Sequence, residues 1–159
     1  MSAAGPSQGA IAPPSGAAQR RSRKRGGPFL LPVRVYYEDT DAAGIVYYAN
    51  YLKFMERART EWLAALGFPL AAFERSYGIA FVVHRLEIDF PQPARLNDTL
   101  DVSVEAVERG RSRLLAAQSC RRDGVAITNA RVTLACVDTA RWRPTRIPKP
   151  LQDALDPTE

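Results

Sequence analysis

At 159 residues, with 46% hydrophobic and 25% charged positions, the chain can bury one sizeable core and is too short for two ordinary domains. No apolar run approaches the roughly 20 residues that cross a bilayer as a helix, and the chain begins MSAAGPSQGA rather than with a charged segment ahead of an apolar block, so a cytoplasmic location is expected. The formal charge of +5 sits in residues 1–28, which hold Arg20, Arg21, Arg23, Lys24 and Arg25 and no acid; the other 17 basic side chains balance the 17 acidic ones, so the folded body is not a nucleic-acid binder by charge.

Residues 1–28 are rich in Ala, Gly, Pro and Ser and have no periodic apolar face, the signature of a disordered, solvated tail. Its basic cluster lacks the interleaved aromatics of a nucleic-acid or membrane segment. From Pro32 the character changes: residues 33–37 are β-prone and lead into EDTDAAG, a run of turn formers. Tyr51, Phe54, Met55, Ala58, Trp62, Ala65 and Leu66 then recur at helical spacing, with Arg57 and Glu61 set to pair one turn apart. Gly67 is placed to cap this helix, and Pro69 cannot continue it. A short second helix is expected over residues 70–77.

Four strands follow, over residues 79–90, 99–108, 113–121 and 125–137, separated by PQPARLND, the Gly110 turn and the Asp123-Gly124 turn. A hairpin at Asp123-Gly124 puts Cys136 opposite Arg111, roughly 30 Å from Cys120 at ~3.4 Å per residue, so the only two cysteines are expected to be buried thiols. One amphipathic helix with about five strands reads as an α+β fold, a sheet wrapped around a helix, because each element must bury its apolar side against the other. The chain thus divides into the tail, a body over residues 29–140 and a Pro-rich segment over 141–159, packed or frayed.

The informative stretch is VRVYYEDTDAAGIVYYANYLKFMERARTEWL, residues 33–63. With FVVHRLEIDFPQPARLNDTL and VTLACVD, it resembles the 4-hydroxybenzoyl-CoA thioesterase family of hotdog proteins, in particular the short-chain acyl-CoA thioesterases associated with the Tol-Pal envelope system. The resemblance spans about residues 32–150. It implies a hotdog domain that hydrolyses an acyl-CoA, with no metal or redox cofactor. Asp41 is by resemblance the catalytic carboxylate, and the backbone N–H of Tyr48 faces the thioester carbonyl. Gly44, Tyr47 and Asn50 complete the motif as substrate-binding candidates, and Gly110-Arg111-Ser112 resembles the loop that contacts coenzyme A phosphates, which makes Arg111 and Ser112 candidates too. Tyr48 stands where the Tol-Pal-associated enzymes often carry histidine, and here the chain is closer to the hydroxybenzoyl-CoA enzymes.

The chemistry supports that arrangement on its own terms. A thioester needs a nucleophile or a base that activates water, and donors for the charge that builds on its carbonyl oxygen. Unpaired amides in the first turn of a helix supply such donors. Residue identity leaves open whether Asp41 attacks directly or acts as general base, and an Asp at this position can also simply cap the following turn. Asp39 reads as a loop-stabilising acceptor, and Gly44 as permitting either a backbone geometry or a close substrate approach that a side chain would block, with an ordinary turn glycine as the alternative. His84, without a second His or a Cys nearby, does not make a metal site. Glu56 and Glu61 read as solvated helix charge. A homodimer through sheet-edge pairing, and a tetramer built from it, is expected, with the site at the interface. The competing reading is a non-hydrolytic protein that holds acyl chains on coenzyme A or acyl carrier protein.

Overall fold

The computed structural model describes residues 27–156, so the tail expected over residues 1–28 lies almost wholly outside the described residues. The chain starts with strand β1 (Phe29–Arg34) and one 3-10 turn (Tyr37–Asp39), then enters the long helix α1 (Asn50–Ala65) and the short helix α2 (Leu70–Tyr77). Four long strands follow: β2 (Ile79–Asp89), β3 (Thr99–Arg109), β4 (Arg113–Arg122) and β5 (Val125–Asp138). A two-residue strand β6 (Arg143–Pro144) and helix α3 (Lys149–Leu155) close the described chain. The four long strands begin where the sequence places them and end within one residue of the expected limits.

All pairings are antiparallel, in the order β1-β3-β4-β5-β2, with β6 on β5. The Asp123-Gly124 turn joins β4 to β5 with both residues at positive φ, +49° and +79°, as a two-residue hairpin with the favoured twist requires. A bulge between Cys120 and Arg121 shifts the expected register by one. The Cys136 N–H therefore donates to the carbonyl of Ser112 rather than lying opposite Arg111. Both thiols are free and buried, as expected.

The sheet curls around α1. Tyr51, Phe54, Met55, Ala58, Trp62 and Leu63 are buried along one side of the helix against Val102 and Val104 of β3, Leu114 and Ala116 of β4, and Val33 of β1. Each large apolar side chain so covered contributes about 1.5–3 kcal/mol, which is what holds α1 in the concavity. One polar connection crosses this core: Gln118 of β4 accepts from Arg59 at 2.8 Å and donates to the Met55 carbonyl at 3.1 Å. Burial lowers the pKa of that guanidinium. The expected Arg57–Glu61 pair does not form; Arg57 lies over the Phe54 ring at 5.9 Å and Glu56 accepts from the Thr60 hydroxyl instead. Of the Pro-rich C-terminal segment, the described part from Ile147 onward is packed, with Ile147, Leu151 and Leu155 in the core. Among the described residues no helix is long and apolar enough to cross a membrane.

Candidate active site

Asp39 is buried, and its carboxylate takes the Tyr36 N–H at 2.8 Å, which ends the extended run two residues before the acid. The chain then turns: the Asp41 carbonyl accepts from Gly44 at 3.0 Å, its N–H donates to Ile45 at 2.9 Å, and Thr40 bridges Val46. Gly44 sits at φ +76° with nothing within 4 Å of where a Cβ would stand, so within one chain the position needs glycine for its backbone conformation. Asp41 is exposed at the tip. Its Oδ1 accepts the Ala43 N–H at 2.8 Å, so the turn-capping role open in the sequence is real. Among the described residues Oδ2 has no hydrogen-bond partner, so the same carboxylate is oriented through one oxygen and free at the other.

The loop returns directly into α1. Tyr47 donates its N–H back to the Asp39 carbonyl at 2.9 Å, and the helix starts at Asn50. Its N-cap is Ala49, which offers no side-chain acceptor, and the first turn carries no acid. Among the described residues the Tyr48 amide has no acceptor either. A helix entrance with unspent N–H groups and no capping side chain is open to an oxyanion.

Around that entrance stands an aromatic cluster. The Tyr48 ring, 63% exposed, lies 4.9 Å from Tyr47 and 6.2 Å edge-on from Phe90, and Phe90 lies 5.9 Å from Tyr51. The Tyr48 side chain beside it holds the Tyr47 phenol above its ordinary value, and burial does the same for Tyr51, so both stay neutral at neutral pH. The sequence reading missed Phe90; the available signal was an aromatic residue immediately after a strand and before a proline. Asn50, taken from the sequence as a substrate contact, is 8% exposed and spends its side-chain N–H on the Asp39 carbonyl at 3.1 Å.

Arg111 and Ser112 are not near this entrance in a single chain. The acid loop is tied to the Thr99 end of β3 through Val46–Ala94 and Ile45–Arg95, whereas Arg111 follows the Arg109 end. The strand between them is about 33 Å long at ~3.3 Å per residue. Arg111 is exposed in its turn and its carbonyl accepts the Ile147 N–H at 2.9 Å. His84 is exposed at a bulge in β2. Glu56 and Glu61 are both exposed on α1, as expected of solvated charge. Among the described residues no group of His, Cys, Asp and Glu could hold a metal ion.

An antiparallel sheet curled around one long helix defines the hotdog fold. The family model of the thioesterase-like superfamily matches residues 35–155, and the chain belongs to that superfamily. It is 44% identical over 127 residues to the acyl-CoA thioesterase YbgC of Haemophilus influenzae, covering 80% of this chain and 93% of the relative. It is 31% identical over 126 residues to the 1,4-dihydroxy-2-naphthoyl-CoA hydrolase of Synechococcus elongatus, covering 78% and 92%. A crystal structure of a probable thioesterase from Bartonella henselae superposes with a TM-score of 0.74 at 30% identity, covering 77% of this chain and all (100%) of that one.

Proposed function

We propose that the protein hydrolyses a short-chain or aromatic acyl-CoA to the free acid and coenzyme A, with Asp41 as nucleophile or general base and the Tyr48 amide as oxyanion donor. That it is a thioester hydrolase follows from the superfamily and from relatives that carry that activity in their names. The observation that carries the assignment of residues is the open helix entrance directly after the Asp41 turn, where one carboxylate oxygen and one amide are both unspent. Attack on the carbonyl carbon builds charge on its oxygen, which a fixed N–H at a helix start stabilises without reorganising. The aromatic cluster of Tyr47, Tyr48 and Phe90 offers planar apolar surface to the acyl group at the same place.

The site is completed in this reading by a second copy. Strand β2 pairs only with β5 among the described residues, is eleven residues long and exposes Val82 and Val83. The other sheet edge, β1, is six residues long and interrupted by Pro32, which lacks an N–H for pairing. Two β2 strands pairing antiparallel set the Ile79 end of one beside the Asp89 end of the other. The partner's Arg111 turn then approaches this chain's helix entrance, where an arginine and a serine suit the phosphates of coenzyme A. No redox or metal cofactor enters the proposed reaction.

The test is release of free thiol from a panel of short-chain and aromatic acyl-CoAs. Turnover on some of the panel, lost in Asp41→Asn and kept in Glu56→Gln, supports the hydrolase. Binding without release from any chain length supports the rival, a protein that holds acyl groups on coenzyme A or acyl carrier protein.

A further inference from the structure

The first residue of α1 ties together the two parts of the proposed site. The Asp39 carbonyl oxygen receives two donors, the Tyr47 N–H at 2.9 Å and the Asn50 Nδ2 at 3.1 Å. Asp39 lies two residues before the acid of the loop, and Asn50 lies two residues after the free amide of Tyr48. Both ends of this connection are buried, Asp39 at 7% and Asn50 at 8% exposure, so water does not readily replace either donor. Asp39 is anchored from behind by the Tyr36 N–H on its own carboxylate, and Asn50 by its N–H on the Tyr47 carbonyl at 2.8 Å. The carbonyl of Asp39 is therefore the one atom through which the acid loop, the returning strand of that loop and the helix start hold a common geometry.

We infer that Asn50 is a positioning residue, whose side-chain amide fixes the separation between the Asp41 carboxylate and the Tyr48 amide and so acts on the chemical step and not on substrate binding. This rests on the hydrolase reading above, since it is that pair of groups that is positioned. Without the Nδ2 donor the Asp39 carbonyl keeps only the Tyr47 N–H, and the helix start loses its side-chain tie to the loop, whose remaining bonds, Asp41 N–H to Ile45 and the Thr40–Val46 bridge, hold the loop to itself and not to Asn50. A displacement of about 1 Å between reacting groups costs on the order of a hundredfold in rate. A side chain with its amide spent on the backbone and its surface buried has little left to offer a substrate, which separates this role from the contact expected from sequence.

The experiment compares wild type, Asn50→Ala, Asn50→Asp and Leu63→Ala in steady-state hydrolysis of butyryl-CoA and benzoyl-CoA, with thermal melts of each. Asn50→Asp keeps the shape but turns an oxygen toward the Asp39 carbonyl. Leu63→Ala destabilises the same helix about 20 Å from Asn50 at ~1.5 Å per residue and calibrates what lost stability alone does. The expected result is a fall in kcat of about 10- to 100-fold in both Asn50 variants with KM within about threefold, at a temperature where every variant is folded, while Leu63→Ala keeps kcat within about twofold. A kcat within about twofold of wild type in Asn50→Ala overturns the inference, and so does a rise in KM at unchanged kcat, which returns Asn50 to substrate contact. Asp41→Asn in the same assay distinguishes the failures. Full turnover in that variant overturns the placement of the acid and this inference with it; an inactive Asp41→Asn beside an unimpaired Asn50→Ala overturns this inference alone.

Discussion

The Arg122 guanidinium donates to the Asp98 carboxylate at 2.6 Å, joining the end of β4 to the turn that carries Ala94 and Arg95 under the acid loop. Asp98 also accepts the Arg95 N–H at 2.8 Å. Burial pushes the Asp98 carboxyl up, but the Arg95 amide and the Arg122 guanidinium together hold it below its ordinary value. A carboxyl depressed in the folded state contributes stability above its unfolded pKa of about 3.9, and loses that contribution as pH falls through the folded value.

Asp98→Asn is accordingly expected to lower stability at pH 7 by about 1 kcal/mol, the scale of a partly exposed ion pair with a hydrogen bond. That is a shift of about 4 °C in Tm for a domain of this size. Melts of wild type and variant as a function of pH test it: the gap narrows as pH drops below about 4. A gap independent of pH contradicts the charge pairing.

The thiols of Cys120 and Cys136 are both raised by burial to about 11. Both are therefore protonated at pH 8 and shielded from solvent. Ellman's reagent added to folded protein at that pH is expected to titrate no fast equivalents, and two after unfolding in guanidinium chloride. Rapid reaction of either thiol in the folded protein contradicts the burial of β4 and β5 described above.

Gly44 at φ +76° allows its two sequence readings to be separated. If backbone conformation is the requirement, Gly44→Asn is milder than Gly44→Ala although it is larger, because Asn tolerates the left-handed region and Ala loses about 1–2 kcal/mol there. Stability and kcat/KM of the two variants test this. Greater loss of kcat/KM in the Asn variant, at equal or better stability, makes close substrate approach the requirement.

The proposed pairing of β2 with a second copy predicts that Val83→Lys, at a position 53% exposed in the single chain, converts a dimeric or larger species to monomer in analytical ultracentrifugation. Turnover falls with it, because the Arg111 turn then no longer reaches the helix entrance. A monomeric wild type, or a monomeric variant with full activity, contradicts a site shared between copies.

Much of this arrangement is readable before any coordinates, and the unreadable parts share physical causes. The long strands declare themselves because they alternate and end at Gly or Asn-Asp turns that no strand can absorb. β1 does not: Tyr36 and Tyr37 have strand propensity, yet the observed strand is Phe29–Arg34, because its register is set by pairing Phe29 with Val104, seventy-five positions away. Helix α3 hides behind prolines that look like breakers; Pro148 is in fact its N-cap and Pro150 lies in its first turn, where a missing N–H costs nothing. The Arg59–Gln118 bond is likewise set by packing between residues 59 positions apart. At the site, the motif marks Asp41 and the helix start, but it does not reveal that Asn50 is spent on the Asp39 carbonyl.

In the proposed reaction the Asp41 carboxylate performs the chemistry at the helix entrance. The most direct test of this role is single-turnover hydrolysis of an acyl-CoA by Asp41→Asn, which keeps the Oδ1 acceptor for the Ala43 N–H and removes only the charge. The expected result is a fall of roughly a thousandfold or more in the rate of the chemical step, with acyl-CoA binding retained and Glu56→Gln close to wild type. An Asp41→Asn protein that turns over as fast as wild type contradicts it.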